Sequence, residues 1–202
     1  MRTNISSWAF LLFCSCGTKE YAPKNYVSFV ESPANGLCRK LSISGWEYDM
    51  QYRPYDYTVL QESRNGMSDS MKKIRFDQLK GTAWFSIRFR KENSDQSPLR
   101  VGVHSLDEYQ QRYVYYMSQA MNDITLIYGQ DTLHPMSYVF ETSYNVAPFE
   151  TMIVGFDLKN GNKGPEENMQ LILLDRVFKN GIIKASFEKS SLKELNNIKV
   201  SI

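Results

Sequence analysis

Histidine and cysteine are scarce in this chain, which has two of the first and three of the second among 202 residues. No Cys/His spacing has the pattern of a structural zinc site, and no metal or cofactor is implied. The motifs Gly-x-Ser-x-Gly and His-Glu-x-x-His are missing, as are a glycine-rich phosphate loop and a calcium loop. The longest apolar run near the amino terminus, Trp8 to Phe13, is six residues. A bilayer core needs about 20, so this run does not span one. Charge of one sign is also lacking, with 24 basic against 22 acidic residues. That near-neutral balance excludes the electrostatic footprint of a nucleic-acid binder. There is no internal repeat and no low-complexity segment.

What the chain does have is tyrosine, 13 in all, a residue favoured in strands and on half-buried faces. The pattern reads as an α+β protein, mostly antiparallel sheet with one long amphipathic helix and two or three short helices packed on it. Tyr26 to Val30 alternates and is expected as a strand, followed by a turn at Ser32-Pro33-Ala34-Asn35-Gly36. A second extended run covers Leu41 to Tyr52. Pro54 opens a short helix, Tyr55 to Glu62. Another helix is expected from Asp69 to Lys80, with Met71, Ile74 and Leu79 on its buried stripe. Trp84 to Arg90 is the clearest strand, placing Phe85, Ile87 and Phe89 on one face and Ser86, Arg88 and Arg90 on the other.

The pair Ser105 and Glu108 forms a capping box that opens the long helix, expected to run to about Met121. Its core stripe would be Leu106, Tyr109, Tyr113, Met117, Ala120 and Met121. Strands follow at Ile124–Tyr128, Met136–Tyr144, Thr151–Leu158, Gln170–Leu174 and Ile182–Phe187. Leu171 to Leu174 is continuously apolar and reads as a strand covered on both faces. Lys159 to Asn168 reads as a solvated polar loop, and Ser191 with Glu194 as the capping box of a last short helix.

Candidate chemistry is thin. His134 lies three residues from Asp131, a spacing at which a carboxylate orients a general base, but a polar hairpin tip accounts for both. Asp175 and Glu188 are carboxylates that a glycosidase would need face to face, and nothing in their spacing puts them so. Trp46, Tyr48, Tyr52, Tyr55 and Tyr57 crowd a dozen residues and form the candidate binding surface. Exposed rings stack on sugar faces or anchor a partner protein. By strand parity Trp46, Tyr48 and Tyr52 share one face, so core packing is the competing account.

The first sixteen residues carry the strongest signal of location. Arg2 is followed by the apolar run and then Leu11-Leu12-Phe13-Cys14-Ser15-Cys16-Gly17, the order of an export signal. The ending resembles the lipobox of Bacteroidota outer-membrane lipoproteins, a functionally uncharacterised group, although Phe13 and Cys14 depart from the usual Leu-then-small pattern. The alternatives are an ordinary signal peptide cut nearby and a wrongly chosen start codon.

The resemblance implies cleavage of residues 1–15, acylation of Cys16, a short tether over 16–25 and one globular domain over 26–202. It also implies three acyl chains, including palmitate, and anchoring in a bacterial outer membrane on a face left open. Cys38 would then be the one remaining thiol, and no intramolecular disulfide could form. The expected function is a non-enzymatic accessory or scaffold subunit of an envelope complex. The alternatives are a glycan- or ligand-binding lipoprotein using Trp46–Tyr57, and a hydrolase.

Overall fold

The computed structural model describes residues 19–64, 66–144, 146–159, 164–195 and 197–200. The expected signal peptide and Cys16 lie outside these residues. Among the described residues the fold is α+β, with mostly antiparallel sheets and five α-helices.

Strand β1, Lys19–Tyr21, pairs in parallel with β11, Ile198–Val200, and helix α1 spans Pro23–Glu31. Both β1 and the start of α1 fall inside the segment expected to be a tether, so the folded part reaches back at least to Lys19. The expected strand at Tyr26–Val30 is instead this helix. Tyr26 and Val30 are four residues apart and both buried, and Pro23 sits in the first turn, where its missing N–H costs nothing. Alternation over five residues satisfied both periods, and the tertiary contacts chose the helical one.

Strands β2 (Cys38–Ile43) and β3 (Trp46–Arg53) form a hairpin whose two connecting residues, Ser44 and Gly45, both have positive φ. That is the mirror-image turn that matches strand twist, and it divides what the sequence suggested was a single run. Helices α2 (Tyr55–Ser63) and α3 (Asp69–Leu79) are inserted between β3 and β4 (Thr82–Lys91). On α3 only Leu79 is buried, and Met71 and Ile74 are exposed, against expectation.

Helix α4, Leu106–Val114, begins with the expected cap, in which the Glu108 N–H donates to Ser105 Oγ at 3.1 Å. The Glu108 carboxylate reaches one residue further back and accepts the His104 N–H at 2.8 Å. The expected long regular helix is not present. After Val114 the chain turns π-helical over Tyr115–Gln119 and then 3-10 over Ala120–Asp123. Widening the helix by one residue rotates the following side chains, so Tyr116 and Ala120 are buried while Met117 is exposed; Leu106, in the first turn of α4, is exposed as well, against expectation.

The remaining strands are β5 (Ile124–Tyr128), β6 (Asp131–Leu133), β7 (Ser137–Glu141), β8 (Glu150–Asp157), β9 (Met169–Asp175) and β10 (Gly181–Phe187). Helix α5, Lys189–Leu195, precedes β11. Ser191 lies inside α5, and the exposed start of the helix is held by Asn168, whose side chain accepts the Lys189 N–H. Strand β9 alternates buried and half-buried residues, so only one of its faces is fully covered. In the polar loop before β9, Pro165 is buried and the Glu166 N–H donates to the Tyr128 hydroxyl at 2.9 Å.

Five strands form one antiparallel sheet in the order β2-β3-β4-β8-β7, and four form another in the order β10-β9-β5-β6. Their inner faces meet in a single apolar core. Tyr48, Met50, Phe85, Ile87, Phe89, Val154 and Phe156 of the first sheet belong to the same core cluster as Leu126, Leu171, Ala185 and Phe187 of the second. Phe85 touches Phe187 across the gap, with ring centroids 5.3 Å apart. Fully burying one such side chain is worth about 1.5–3 kcal/mol.

Two buried carboxylates fix this arrangement. Asp175 accepts the Tyr48 hydroxyl at 2.6 Å, the Asn180 amide at 2.9 Å and the Phe178 N–H at 3.0 Å. Glu150, with no exposed surface, accepts from Ser97 Oγ at 2.5 Å and from the Ser143 N–H at 2.7 Å, joining two loops. Burial and the Asp175 hydrogen bond push the Tyr48 hydroxyl far above its usual ionisation range, so it stays a donor at neutral pH. Tyr48→Phe should destabilise the domain by about 1–3 kcal/mol, because Asp175 stays buried with one donor fewer. Urea denaturation of the two proteins tests this, and unchanged midpoints would show that the sheets do not depend on the contact.

Candidate functional site

The aromatic residues singled out from the sequence are in the interior. Trp46, Tyr48, Tyr52 and Tyr57 are each 6% exposed or less. The parity of β3 turns Trp46, Tyr48 and Tyr52 toward the second sheet, where Trp46 stacks on Phe178 with centroids 3.5 Å apart. Tyr57 and the half-buried Tyr55 are held by α2, and the Tyr55 hydroxyl accepts the Gly81 N–H at 3.2 Å. The rings are therefore not a surface on which a glycan could stack. The physical reason is the one parity offered, burial of alternate residues against a facing sheet.

His104 and His134 are exposed, as is Glu188, whereas Asp175 is engaged in the Tyr48 contact. Among the described residues no three His, Cys, Asp or Glu side chains gather in a way that could hold a metal ion.

The same parity that buries the aromatics builds a polar floor on the other face of the five-stranded sheet. Paired residues in antiparallel strands share a face, so rows of side chains run across it. One row is Arg53, Trp84, Gly155 and Ser137, and the next is Cys38, Gln51, Ser86, Ile153 and Val139. A third is Lys40, Asp49, Arg88, Thr151 and Glu141. Helices α1, α2 and α3 overhang one end of this floor, and two pockets lie beneath them.

The first pocket, about 210 Å3, lies over β2, β3 and β4. At its rim the Tyr57 hydroxyl donates to Glu31 at 2.9 Å, and Gln61 donates to the same oxygen at 3.2 Å. Burial first, then the bonded Glu31, raises the ionisation of Tyr57 and keeps its proton in place. Cys38 lies in the wall as a free, buried thiol. Burial pushes its pKa up, reinforced by Asp49 and opposed by Lys40, Arg39 and Arg88. The thiol is therefore protonated at neutral pH and is not an activated nucleophile.

The second pocket, about 300 Å3, lies over β4, β8 and β7 beneath α2 and α3. Arg53, Thr58, Trp84, Ser137 and Glu141 supply its polar groups, and Leu79, Val139 and Ile153 its apolar ones. Across its helical wall Arg75 grips Glu62 with two bonds of 2.7 and 2.8 Å, tying α3 to α2. That hydrogen-bonded carboxylate raises the Arg75 pKa further and leaves neither group with spare charge. Neither pocket has an imidazole in its wall. Their walls offer hydrogen-bonding and charged side chains.

Trp84 is the residue that sequence reasoning passed over. Its indole comes up against Gly155 on the neighbouring strand, where an added Cβ would lie within 2.9 and 3.0 Å of two ring carbons and 3.1 Å of the Thr82 methyl. A glycine inside a strand marks such a close approach, and Gly155 in the Thr151–Leu158 run was the signal to follow. Gly155→Ala should lift the indole from the sheet, at a cost of about 1–3 kcal/mol. Denaturant unfolding together with the tryptophan emission of the folded protein tests this. Unchanged stability and emission would show that the ring does not need the glycine.

Comparisons with protein-family models, with curated proteins and with solved structures each return no match.

Proposed function

We propose that this protein is a lipid-anchored, non-enzymatic component of the bacterial envelope, an accessory or scaffold subunit held at the outer membrane through Cys16. The observation that carries the reading is the run Leu11-Leu12-Phe13-Cys14-Ser15-Cys16-Gly17 behind a basic residue and an apolar stretch. A permanent anchor confines a domain to two dimensions and raises its effective concentration for membrane partners.

The fold adds a geometric consequence. Strand β1 begins at Lys19, three residues after Cys16. Fully extended chain covers at most about 3.6 Å per residue, so an acylated Cys16 lies within roughly 11 Å of β1. The β1–β11 edge is then the part of the domain set against the bilayer. In this reading the domain does not swing on a long stalk, and its partners meet it in a restricted orientation.

Cys16→Ala should abolish incorporation of a labelled fatty acid and release the protein from membranes; retention with unchanged labelling would refute the anchor. Mild-detergent isolation of the tagged protein from its native membranes, followed by mass spectrometry, tests the subunit role. A stoichiometric outer-membrane protein is the expected companion, and recovery of the lipoprotein alone would overturn that role.

A further inference from the structure

Two buried side-chain polar atoms of one pocket have no hydrogen-bond partner among the described residues: Thr58 Oγ1 and Trp84 Nε1. Both lie in the wall of the pocket beneath α2 and α3, on the outer face of the five-stranded sheet. Each such group costs stability, and native folds carry few of them. Scattered singly, they would suggest imperfect packing. Gathered in the wall of one pocket beneath α2 and α3, they point to a ligand that completes their bonds.

We propose that the pocket under α2 and α3 binds a hydroxylated carboxylate of about monosaccharide size, a sugar acid. Arg53 is the carboxylate-binding group. Its guanidinium lies over the Tyr57 ring, 5.5 Å from the centroid, and it takes part in no ion pair among the described residues. The second arginine of the pocket, Arg75, is already satisfied by Glu62. Arg53 is therefore the cation of this wall left to meet a ligand carboxylate, and Glu141 is the wall's other charged group outside an ion pair among the described residues.

The rest of the wall recognises hydroxyl groups and carbon-bound hydrogens. Trp84 offers a donor only, whereas the Thr58 and Ser137 hydroxyls donate or accept. Glu141 is an acceptor for hydroxyl protons at the β7 side. Three strand spacings separate β3 from β7, roughly 14 Å, so this carboxylate stands well away from the Arg53 end. Val139 and Ile153 supply the apolar surface that a sugar ring's C–H groups cover. A volume of about 300 Å3 is at the small end for a ligand pocket, which suits one sugar ring and excludes a dinucleotide. A fatty acid would leave the Trp84 and Thr58 groups unpaired. The inference is independent of the membrane anchor.

The test is a titration of the full chain in detergent, labelled with 15N in its indole groups, with D-glucuronate, D-glucose and acetate as probes. Trp84→Phe identifies the Trp84 indole signal by its loss. Glucuronate should shift that signal and bind at least about tenfold more tightly than glucose, which lacks the carboxylate, or acetate, which lacks the hydroxyls. Arg53→Gln should remove the advantage over glucose. Thr58→Val keeps the side-chain shape and removes an unpaired hydroxyl, so it should raise the melting midpoint while weakening glucuronate binding. No shift of the Trp84 signal at about 10 mM glucuronate would overturn the proposal, because so weak a complex is worth less than about 3 kcal/mol. Equal affinity for glucose would overturn it as well. So would a Thr58→Val protein that gains stability and binds glucuronate as before.

Discussion

The structure depends on the contact between the inner faces of its two sheets. Neither sheet covers its own apolar side, and three of the four strands in the smaller sheet have buried residues only on the face turned to the larger one. Apolar burial brings the sheets together but is nondirectional and would tolerate sliding. The Tyr48 hydroxyl on Asp175, joined by Asn180 at 2.7 Å from the same hydroxyl, supplies a directional link between β3 and the end of β9. An unpaired carboxylate at that depth would be costly, so the two sheets are favoured in the one register that pairs it.

From that contact the rest of the architecture follows. Once alternate residues of β3 and β4 are committed to the core, the others must form the opposite face. The core residues Tyr48, Tyr52, Phe85 and Phe89 thus dictate that Gln51, Arg53, Trp84 and Arg88 face outward. The α2–α3 insertion joins the ends of β3 and β4 and overhangs that outward face. The bidentate Arg75–Glu62 pair holds the insertion together as one wall. Gly155 leaves room for the Trp84 indole to approach the neighbouring strand.

This division of labour separates two roles that the sequence placed on one cluster. Aromatic side chains between residues 46 and 57 hold the fold, while recognition falls to polar side chains of the same strands on the other face. The pocket on the outer sheet face and the proposed anchor at Cys16 are separate readings, and neither needs the other.

The sequence by itself determined most of the local structure. Phe85, Ile87 and Phe89 alternate with polar residues, and β4 forms there. Ser105 and Glu108 cap a helix, and α4 begins there. Such features are carried by neighbours within a few residues and need no distant partner. Tyr26–Val30 fits two periods at once, and only contacts from far along the chain made it a helix. The π-helical turn after Val114 is equally invisible locally, because it exists to bring Tyr116 into the core, where it stacks on Phe89 and Phe140. Which face of β3 would be buried was legible as parity but not as direction, since a strand's alternation does not say where the other sheet lies. The pocket under α2 and α3 draws on β3, β4, β7, β8 and both helices, residues from 53 to 153. Only the tertiary structure could assemble it, because hydrogen bonds left unmade at Thr58 and Trp84 are a property of three-dimensional surroundings and leave no mark on composition or spacing.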